Sequence, residues 1–306
     1  MTIEQAAEII KQGGIVAFPT ETVYGLGADA WNSSAISKIY KIKGRAADNP
    51  LIVHLHEKKQ IHGFCSNIPE HAHRLIDTFW PGPLTLVLKK RPEVLDAVTA
   101  GLDTVALRIP DHSIALDLIR RTGPLVAPSA NRSGKPSPTK AEHVISDFGN
   151  ACQVLDGNTT KIGLESTVID LSEKEPIILR PGMIGREEIS TLLGVSVKEL
   201  SPNPIHSPKS PGQKYSHYAP DARVRWLLKN ESPNDDSFLY LLQSRHSSKP
   251  NTICYNFDLE QLAKELYDRF RHADIQKYKE VVVEPLEEHH PLYAALNNRI
   301  LKAIGN

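Results

Sequence analysis

The sequence predicts an α/β protein in two parts. Short apolar runs of strand length alternate with apolar residues at helical spacing from the N-terminus to about residue 200. A Pro-rich stretch from Ser201 to Pro220 then breaks the pattern. After it the alternation resumes on a smaller scale to the end of the chain.

In order, Ile15–Phe18 reads as a strand that stops at Pro19, which removes a ladder donor. A hydroxyl-rich loop, Thr20 to Thr22, follows and is closed by Gly25 and Gly27, where glycine lets backbone approach a ligand. Ile36, Ile39 and Ile42 recur at three-residue steps, so a helix is expected, with Ser33 or Ser34 as its N-cap. Lys41, Lys43 and Arg45 fall within five positions just after it, before a turn at Asp48-Asn49-Pro50. The run Leu51–Leu55 reads as a buried strand. Ala72, Leu75, Ile76 and Phe79 form a second helical stripe ending before Pro81-Gly82-Pro83. Leu84–Leu88, Val105–Ile109, Leu125–Ala127, Val168–Leu171 and Ile177–Leu179 read as further strands, whose direction the pattern does not give.

Ser201–Pro220 holds five prolines, which favour an extended, semi-rigid connection. The expected division is therefore a domain over 1–200, a linker over 201–221 and a small α/β domain over 222–306. In the last part Val224–Leu228, Phe238–Leu242, Thr252–Asn256 and Val281–Val283 read as strands. Leu259, Leu262, Ala263, Leu266 and Phe270 mark one helix, and Leu292, Leu296, Ile300 and Ile304 another. No internal repeat is visible.

Composition limits the function. At 306 residues the chain can bury a sizeable core. Lys plus Arg and Asp plus Glu both number 36, so a basic surface for nucleic acid would have to be local. Cys65, Cys152 and Cys254 lie far apart with no C-x-x-C, which argues against a disulfide framework or a zinc site. The histidines do not build one either: His71 and His73 diverge on a helix, and His289-His290 are adjacent. The N-terminus lacks a basic segment followed by an apolar one, so no signal peptide is expected. No apolar run reaches membrane-spanning length, and a cytoplasmic, reducing compartment fits.

The cationic loop at the entrance to the Leu51 strand is a place to hold phosphate, since Arg offers a planar fork of donors and Lys a point charge. The chain lacks G-x-x-x-x-G-K-[ST], so it is not a P-loop site. A solvated basic face is the plain alternative for such a run.

Four blocks set the loop in context: P-T-E-T-V-Y-G-L-G at 19–27; K-x-R at 43–45 followed by N-P-L-I-V-H at 49–54; P-S-A-N-x-S-G at 128–134; and E-S-T-V-I-D at 165–170 followed by L-R-P-G at 179–182. In this order and spacing they resemble the threonylcarbamoyl-AMP synthase family, which carries the YrdC-like domain. The block S-P-G-Q-K-Y-S-H-Y-A-P at 210–220 is similar to the linker of the family's long, two-domain form. The resemblance is strong over residues 1 to about 220 and only moderate beyond. His289-His290-Pro291 stands where a glycine-rich turn is usual, which puts a glycine-based anion site there in doubt.

The resemblance implies a YrdC-like open, twisted, mixed sheet with a concave face, plus a small Rossmann-like C-terminal domain. It implies that L-threonine, bicarbonate and ATP give threonylcarbamoyl-AMP and pyrophosphate, the first step in modifying the adenosine next to the anticodon of ANN-decoding tRNAs. The attacking oxygen belongs to the substrate carbamate, so the site needs positioning and cations rather than an enzyme nucleophile. By matching position, Lys43 and Arg45 neutralise phosphate. Asn49, Thr104, Ser129, Ser137, Arg180, His217 and Tyr218 join Arg45 as ATP contacts. Thr22, His54, Arg108, Ala127 and Ser166 hold threonine, Arg108 as partner of its carboxylate. Tyr215, His217 and Tyr218 in the linker would exclude water. Magnesium is expected to arrive with ATP, coordinated largely by phosphates and water. A downstream tRNA threonylcarbamoyl transferase machinery would take the product, with a weak RNA contact and no membrane among the remaining partner expectations.

Plainer roles exist for single residues. His54 alone reads as a satisfied core histidine, Arg108 as half of a surface salt bridge, Ser166 and Thr167 as turn caps, Arg180 as a charged strand end, and the linker as a spacer. Glu21 and Glu165 are carboxylates in the right loops whose role as a base is open. Two other functions use the same residues. An RNA-binding module could employ Lys41, Lys43, Arg45, Arg132 and Lys135 on phosphates, but leaves the T-E-T-V-Y-G and E-S-T-V-I-D loops unexplained. A hydrogenase-maturation carbamoyltransferase carries the same domain type, but with cysteine-rich fingers that this chain lacks.

Overall fold

The computed structural model describes residues 1–199, 218–244, 247 and 249–305. Most of the Pro-rich linker, with Tyr215 and His217, therefore lies outside the described residues.

Helix α1 (Ile3–Lys11) precedes strands β1 (Val16–Phe18) and β2 (Gly25–Asp29). Then come α2 (Ser33–Lys43), β3 (Ile52–His54), α3 (Glu70–Phe79), β4 (Leu84–Lys89), the short α4 (Asp96–Thr99) and β5 (Thr104–Arg108). They are followed by α5 (Ser113–Thr122), β6 (Leu125–Val126), α6 (Ala141–Phe148), β7 (Gln153–Val154), β8 (Thr167–Asp170), β9 (Ile177–Arg180), α7 (Arg186–Leu193) and β10 (Lys198–Glu199). The second part holds β11 (Arg223–Trp226), β12 (Phe238–Leu242), β13 (Thr252–Cys254), α8 (Leu259–Ile275), β14 (Glu280–Val283) and α9 (Tyr293–Ile304).

The first sheet has ten strands in the order β10-β9-β8-β4-β5-β3-β6-β2-β1-β7. It is mixed: β3 runs parallel to β5 while β4 runs antiparallel to β5. The second sheet has four parallel strands in the order β11-β14-β12-β13, as expected of a small sheet covered by helices.

Two details differ from the sequence reading. The N-cap of α2 is Asn32, whose Oδ1 accepts from the Ala35 amide at 3.0 Å, one residue before the serines. Gly25 ends the loop as the first residue of β2, but Gly27 lies inside that strand, antiparallel to β1. A Cβ on Gly27 would lie 2.7 Å from the Phe18 ring, so this glycine makes room for an aromatic core residue.

Side-chain alternation gives the first sheet two unlike faces. Val53, Leu86, Leu107 and Ile169 belong to the main core, with Ile36 and Ile39 of α2 and Leu75 of α3. Ile52, Val87, Ala106, Val168 and Leu179 form a small apolar patch on the other face. On that face the register sets His54 beside Arg108 and Ile52 beside Ala106, and Val168 beside Arg180. Polar side chains are thus carried in on rigid strands.

The two parts share a core. Val23 and Leu164 pack with Leu262, Leu266 and Tyr267 of α8 and with Leu296 and Ile300 of α9. Ion pairs cross the same boundary: Arg271–Asp147 at 2.8 Å, Lys140–Asp268 at 2.9 Å and Arg299–Glu165 at 2.9 Å. Among the described residues, no helix is long and apolar enough to cross a membrane.

Candidate active site

A pocket of about 730 Å³, its open mouth included, lies over this second face of the large sheet. Its lining carries Lys43, Arg45, Arg108, Lys135 and Arg180 against one carboxylate, Glu165. Thr20, Thr22, Ser129, Ser133, Ser137 and Ser166 add hydroxyls, and Ile52, Ala127 and Pro128 an apolar wall. Such a surplus of enclosed cations suits a polyanion.

Local structure explains the cationic side. Lys43 ends the buried stripe of α2, seven residues beyond Ile36 and four beyond Ile39, and is itself buried. Gly44 follows in the left-handed conformation, φ 61°, and closes the helix. The Lys43 ammonium donates to the carbonyls of Ser129 and Asn131, each at 2.5 Å. Burial, and next the neighbouring Arg45, lower its pKa well below the ordinary 10.5. The Arg45 guanidinium donates to the carbonyls of Asn49 (3.3 Å) and Pro50 (3.0 Å), and burial lowers its pKa to about 10. The P-S-A-N loop is strapped to β2 by Leu26 N–H to Pro128 O and Ala130 N–H to Tyr24 O, both 2.8 Å.

On the opposite side Arg108 donates through Nη1 to the Thr22 hydroxyl at 2.9 Å and through Nε to the Gly82 carbonyl at 3.1 Å. Its Nη2 lies 2.5 Å from Glu21, both side chains being buried. Thr20 holds the loop closed, its hydroxyl donating to Val23 O at 2.7 Å and lying 2.8 Å from that of Thr22. The His54 ring is neutral: burial, then the charge of Arg108, lowers its pKa to about 3. Its Nδ1 lies 3.2 Å from the Ile52 carbonyl, and its ring stands edge-on to Phe18.

Ser166 joins the two sides. Its hydroxyl is 2.7 Å from that of Thr85, and Arg180 donates to its carbonyl at 2.9 Å and its hydroxyl at 3.1 Å. Next to it Glu165 accepts from Ser137 Oγ (2.5 Å), Tyr267 Oη (3.0 Å) and Arg299 Nε (2.9 Å). Burial opposes ionisation of Glu165, but Arg299, Arg180 and the Ser137 hydroxyl outweigh it and hold the pKa at about 2. A carboxylate so engaged is a fixed anion and not a base. Tyr218 closes this wall, its ring stacked on Tyr267 at 5.4 Å and lying under the Arg299 guanidinium at 5.3 Å. Its φ of 72° is unusual for a residue with a side chain, and such backbone persists only where packing dictates it.

The structure therefore brings together Thr22, Lys43, Arg45, His54, Arg108, Ala127, Ser129, Ser137, Ser166, Arg180 and Tyr218 in one lining. Asn49 and Thr104 are not in it. Asn49 is buried in the turn, where its backbone carbonyl accepts from Arg45. Thr104 opens β5 on the same face as Arg108, two residues before Ala106, and is buried there. His217 lies outside the described residues. Arg108 and Arg180 are buried, not a surface salt bridge and a loose strand end. Arg299 and Tyr267 were not singled out from sequence, although both stand on apolar helical stripes, Arg299 between Leu296 and Ala303 and Tyr267 beside Leu266. A charged residue on a buried stripe is the signal that finds it.

Fold and pocket together define a YrdC-like α/β protein, extended by a second α/β unit that reaches the pocket wall. Residues 8–182 match the Sua5/YciO/YrdC family model, described as telomere recombination, and residues 184–305 match the threonylcarbamoyl-AMP synthase C-terminal domain. A threonylcarbamoyl-AMP synthase of Bacillus subtilis (strain 168) is 42% identical, with 99% of this chain and 93% of that protein covered. One from Pyrococcus abyssi is 43% identical, with 99% and 94% covered. The crystal structure of P. abyssi Sua5 complexed with L-threonine aligns with a TM-score of 0.90 at 42% identity, covering 99% of this chain and 94% of that one. The chain belongs to the threonylcarbamoyl-AMP synthase family.

Proposed function

We propose that the chain is an L-threonylcarbamoyladenylate synthase, a nucleotidyltransferase that converts L-threonine, bicarbonate and ATP into threonylcarbamoyl-AMP and pyrophosphate. The observation that carries this reading is the single lining shared by the Lys43, Arg45 and Arg180 cations and the Thr22, His54 and Arg108 cluster.

Arg108 pairs with the threonine carboxylate, and Thr22, neutral His54, Ala127 and Ser166 enclose the rest of that substrate. Bicarbonate yields carbon dioxide and hydroxide; the α-amine, as the free base, adds to the carbon of carbon dioxide, and the proton it loses joins the hydroxide as water. A carbamate oxygen then attacks the α-phosphorus of ATP; the new P–O bond forms as the bond to pyrophosphate breaks. Lys43 has two N–H groups on carbonyls, so its third donor is available to phosphate. Arg45 and Arg180 neutralise further phosphate charge, and Ser129 lies beside Lys43. Ser137 donates its proton to Glu165, so it offers a nucleotide hydroxyl an acceptor. Tyr218 covers the reaction and limits water, which an acyl adenylate requires. An adenosine laid along the Ile52 and Ala106 patch would extend toward Thr104.

The lining offers hydroxyls and cations but one carboxylate, already bound to Arg299. Magnesium therefore fits as part of the ATP complex, on phosphate and water, rather than in a protein cage. The product would pass to a tRNA threonylcarbamoyl transferase machinery in the cytoplasm. An RNA-binding role is less well supported, because Lys43, Arg108 and Arg180 are buried at the pocket rather than spread over a surface.

The test is pyrophosphate release from magnesium ATP. Release that needs both L-threonine and bicarbonate supports the assignment. No release under these conditions, with salt-sensitive RNA binding instead, would move the assignment to a binding module.

A further inference from the structure

Arg299 is the largest side chain among those fully buried in the described structure, and it comes from α9 in the second α/β unit. Its guanidinium touches three parts of the pocket wall. Nε donates to Glu165 of the E-S-T block at 2.9 Å. Nη1 donates to the carbonyl of Pro181 in the R-P-G block at 3.0 Å. The planar group lies 5.3 Å from the Tyr218 ring centroid, at the end of the linker. Three segments distant in sequence thus meet on one cation that does not itself line the pocket.

We propose that Arg299 is a positioning residue for ATP, a role that rests on the adenylate-forming reading above. Glu165 is the lone carboxylate of the lining. Unneutralised, it would repel phosphate and attract the nearby Arg180, with which it already interacts electrostatically. Arg299 engages Glu165 from behind, leaving Arg180 on the Ser166 carbonyl and facing the pocket. The same carboxylate fixes the Ser137 hydroxyl at 2.5 Å. The guanidinium plane holds Tyr218 against Tyr267. The second unit therefore sets the nucleotide wall, while the threonine cluster of Arg108, Glu21 and Thr22 is built wholly from the first.

The test uses the full-length chain with Arg299→Met, Arg299→Lys and the double variant Glu165→Gln/Arg299→Met. Calorimetry measures the affinity for a non-hydrolysable ATP analogue with magnesium and, separately, for L-threonine; thermal melts report folding. Arg299→Met should weaken the ATP analogue by about 10-fold or more, as expected for losing hydrogen bonds to a charged group. L-Threonine affinity should stay within about 2-fold of wild type, because its carboxylate partner Arg108, with Thr22 and Glu21, makes no contact with Arg299, and Arg299→Lys should recover part of the loss. The double variant should regain melting temperature but not nucleotide affinity, since the Pro181 and Tyr218 contacts stay lost. Wild-type affinity for the analogue in Arg299→Met, or in the double variant, would overturn the proposal, the latter by showing that Arg299 only cancels a charge. A parallel loss of threonine affinity would overturn it too, marking a global structural role. A wild-type chain that binds threonine but no ATP analogue would instead remove the adenylate-forming reading.

Discussion

Arg108 and Glu21 form an ion pair of 2.5 Å in which both side chains are almost wholly buried. The arginine assigned to the substrate carboxylate is thus already oriented and charge-compensated before substrate arrives. Removing one partner of a buried pair leaves the other uncompensated, at a typical cost of about 3–5 kcal/mol. Glu21→Ala should therefore lower the melting temperature strongly. L-Threonine should restore more of it in the variant than it adds in wild type, because the substrate carboxylate replaces the missing one. Thermal melts with and without threonine decide this, and an unrescued variant would show that threonine does not reach Arg108.

His54 gives a pH signature. Its pKa falls from 6.5 to about 3 in the folded chain, chiefly through burial. Between those values the unfolded chain binds more protons, so stability rises with pH from 3 to 6.5 and is lost as pH falls. A His54→Gln variant that stays folded should lack this part of the acid destabilisation, amounting to a few kcal/mol. Denaturant melts across pH 4–7 would contradict the assignment if both proteins lose stability alike.

Lys43 gives a second pH signature. Its pKa is depressed in the folded chain, mostly by burial. Between that lowered value and 10.5 the unfolded chain holds more protons, so the Lys43 contribution to stability rises with pH there. Bound phosphate favours the charged form, so ATP binding in this range should take up protons. Calorimetry in buffers of different ionisation enthalpy measures the uptake, which should disappear in Lys43→Met. Equal uptake by that variant would place the proton elsewhere.

Gly182 ties two blocks together. A Cβ there would meet the Thr167 amide and lie 2.7 Å from the Ser166 carbonyl carbon. Gly182→Ala must push Ser166 and Arg180 apart, lowering turnover by about 10-fold or more through misplacement. Steady-state kinetics on variant protein with a retained melting transition checks this; unchanged turnover would mean the wall adapts.

Much of the site was legible because its chemistry sits in contiguous blocks. Lys43, Arg45, Ser129, Ser166 and Arg180 are each flanked by the turns and strand ends that present them. The partners were not legible. The Glu165–Arg299 contact joins residues 134 positions apart, and no local propensity encodes it. Likewise Glu21 and Glu165 read alike in sequence, as carboxylates in hydroxyl-rich loops; only tertiary packing commits each to an arginine. Thr104 shares the face of Arg108 yet stands outside the lining, because alternation along a strand gives the face and not the distance from the pocket. Gly25 lines the pocket, where a glycine suits close approach of a ligand, whereas Phe18 accounts for Gly27.

The most direct test supplies labelled bicarbonate with L-threonine and magnesium ATP, quenches the reaction and identifies the product by mass spectrometry. The predicted species contains AMP, threonine and one carbon from bicarbonate, and is lost in both Arg45→Ala and Arg108→Ala. AMP or ADP formed without incorporation of the labelled carbon would contradict the account.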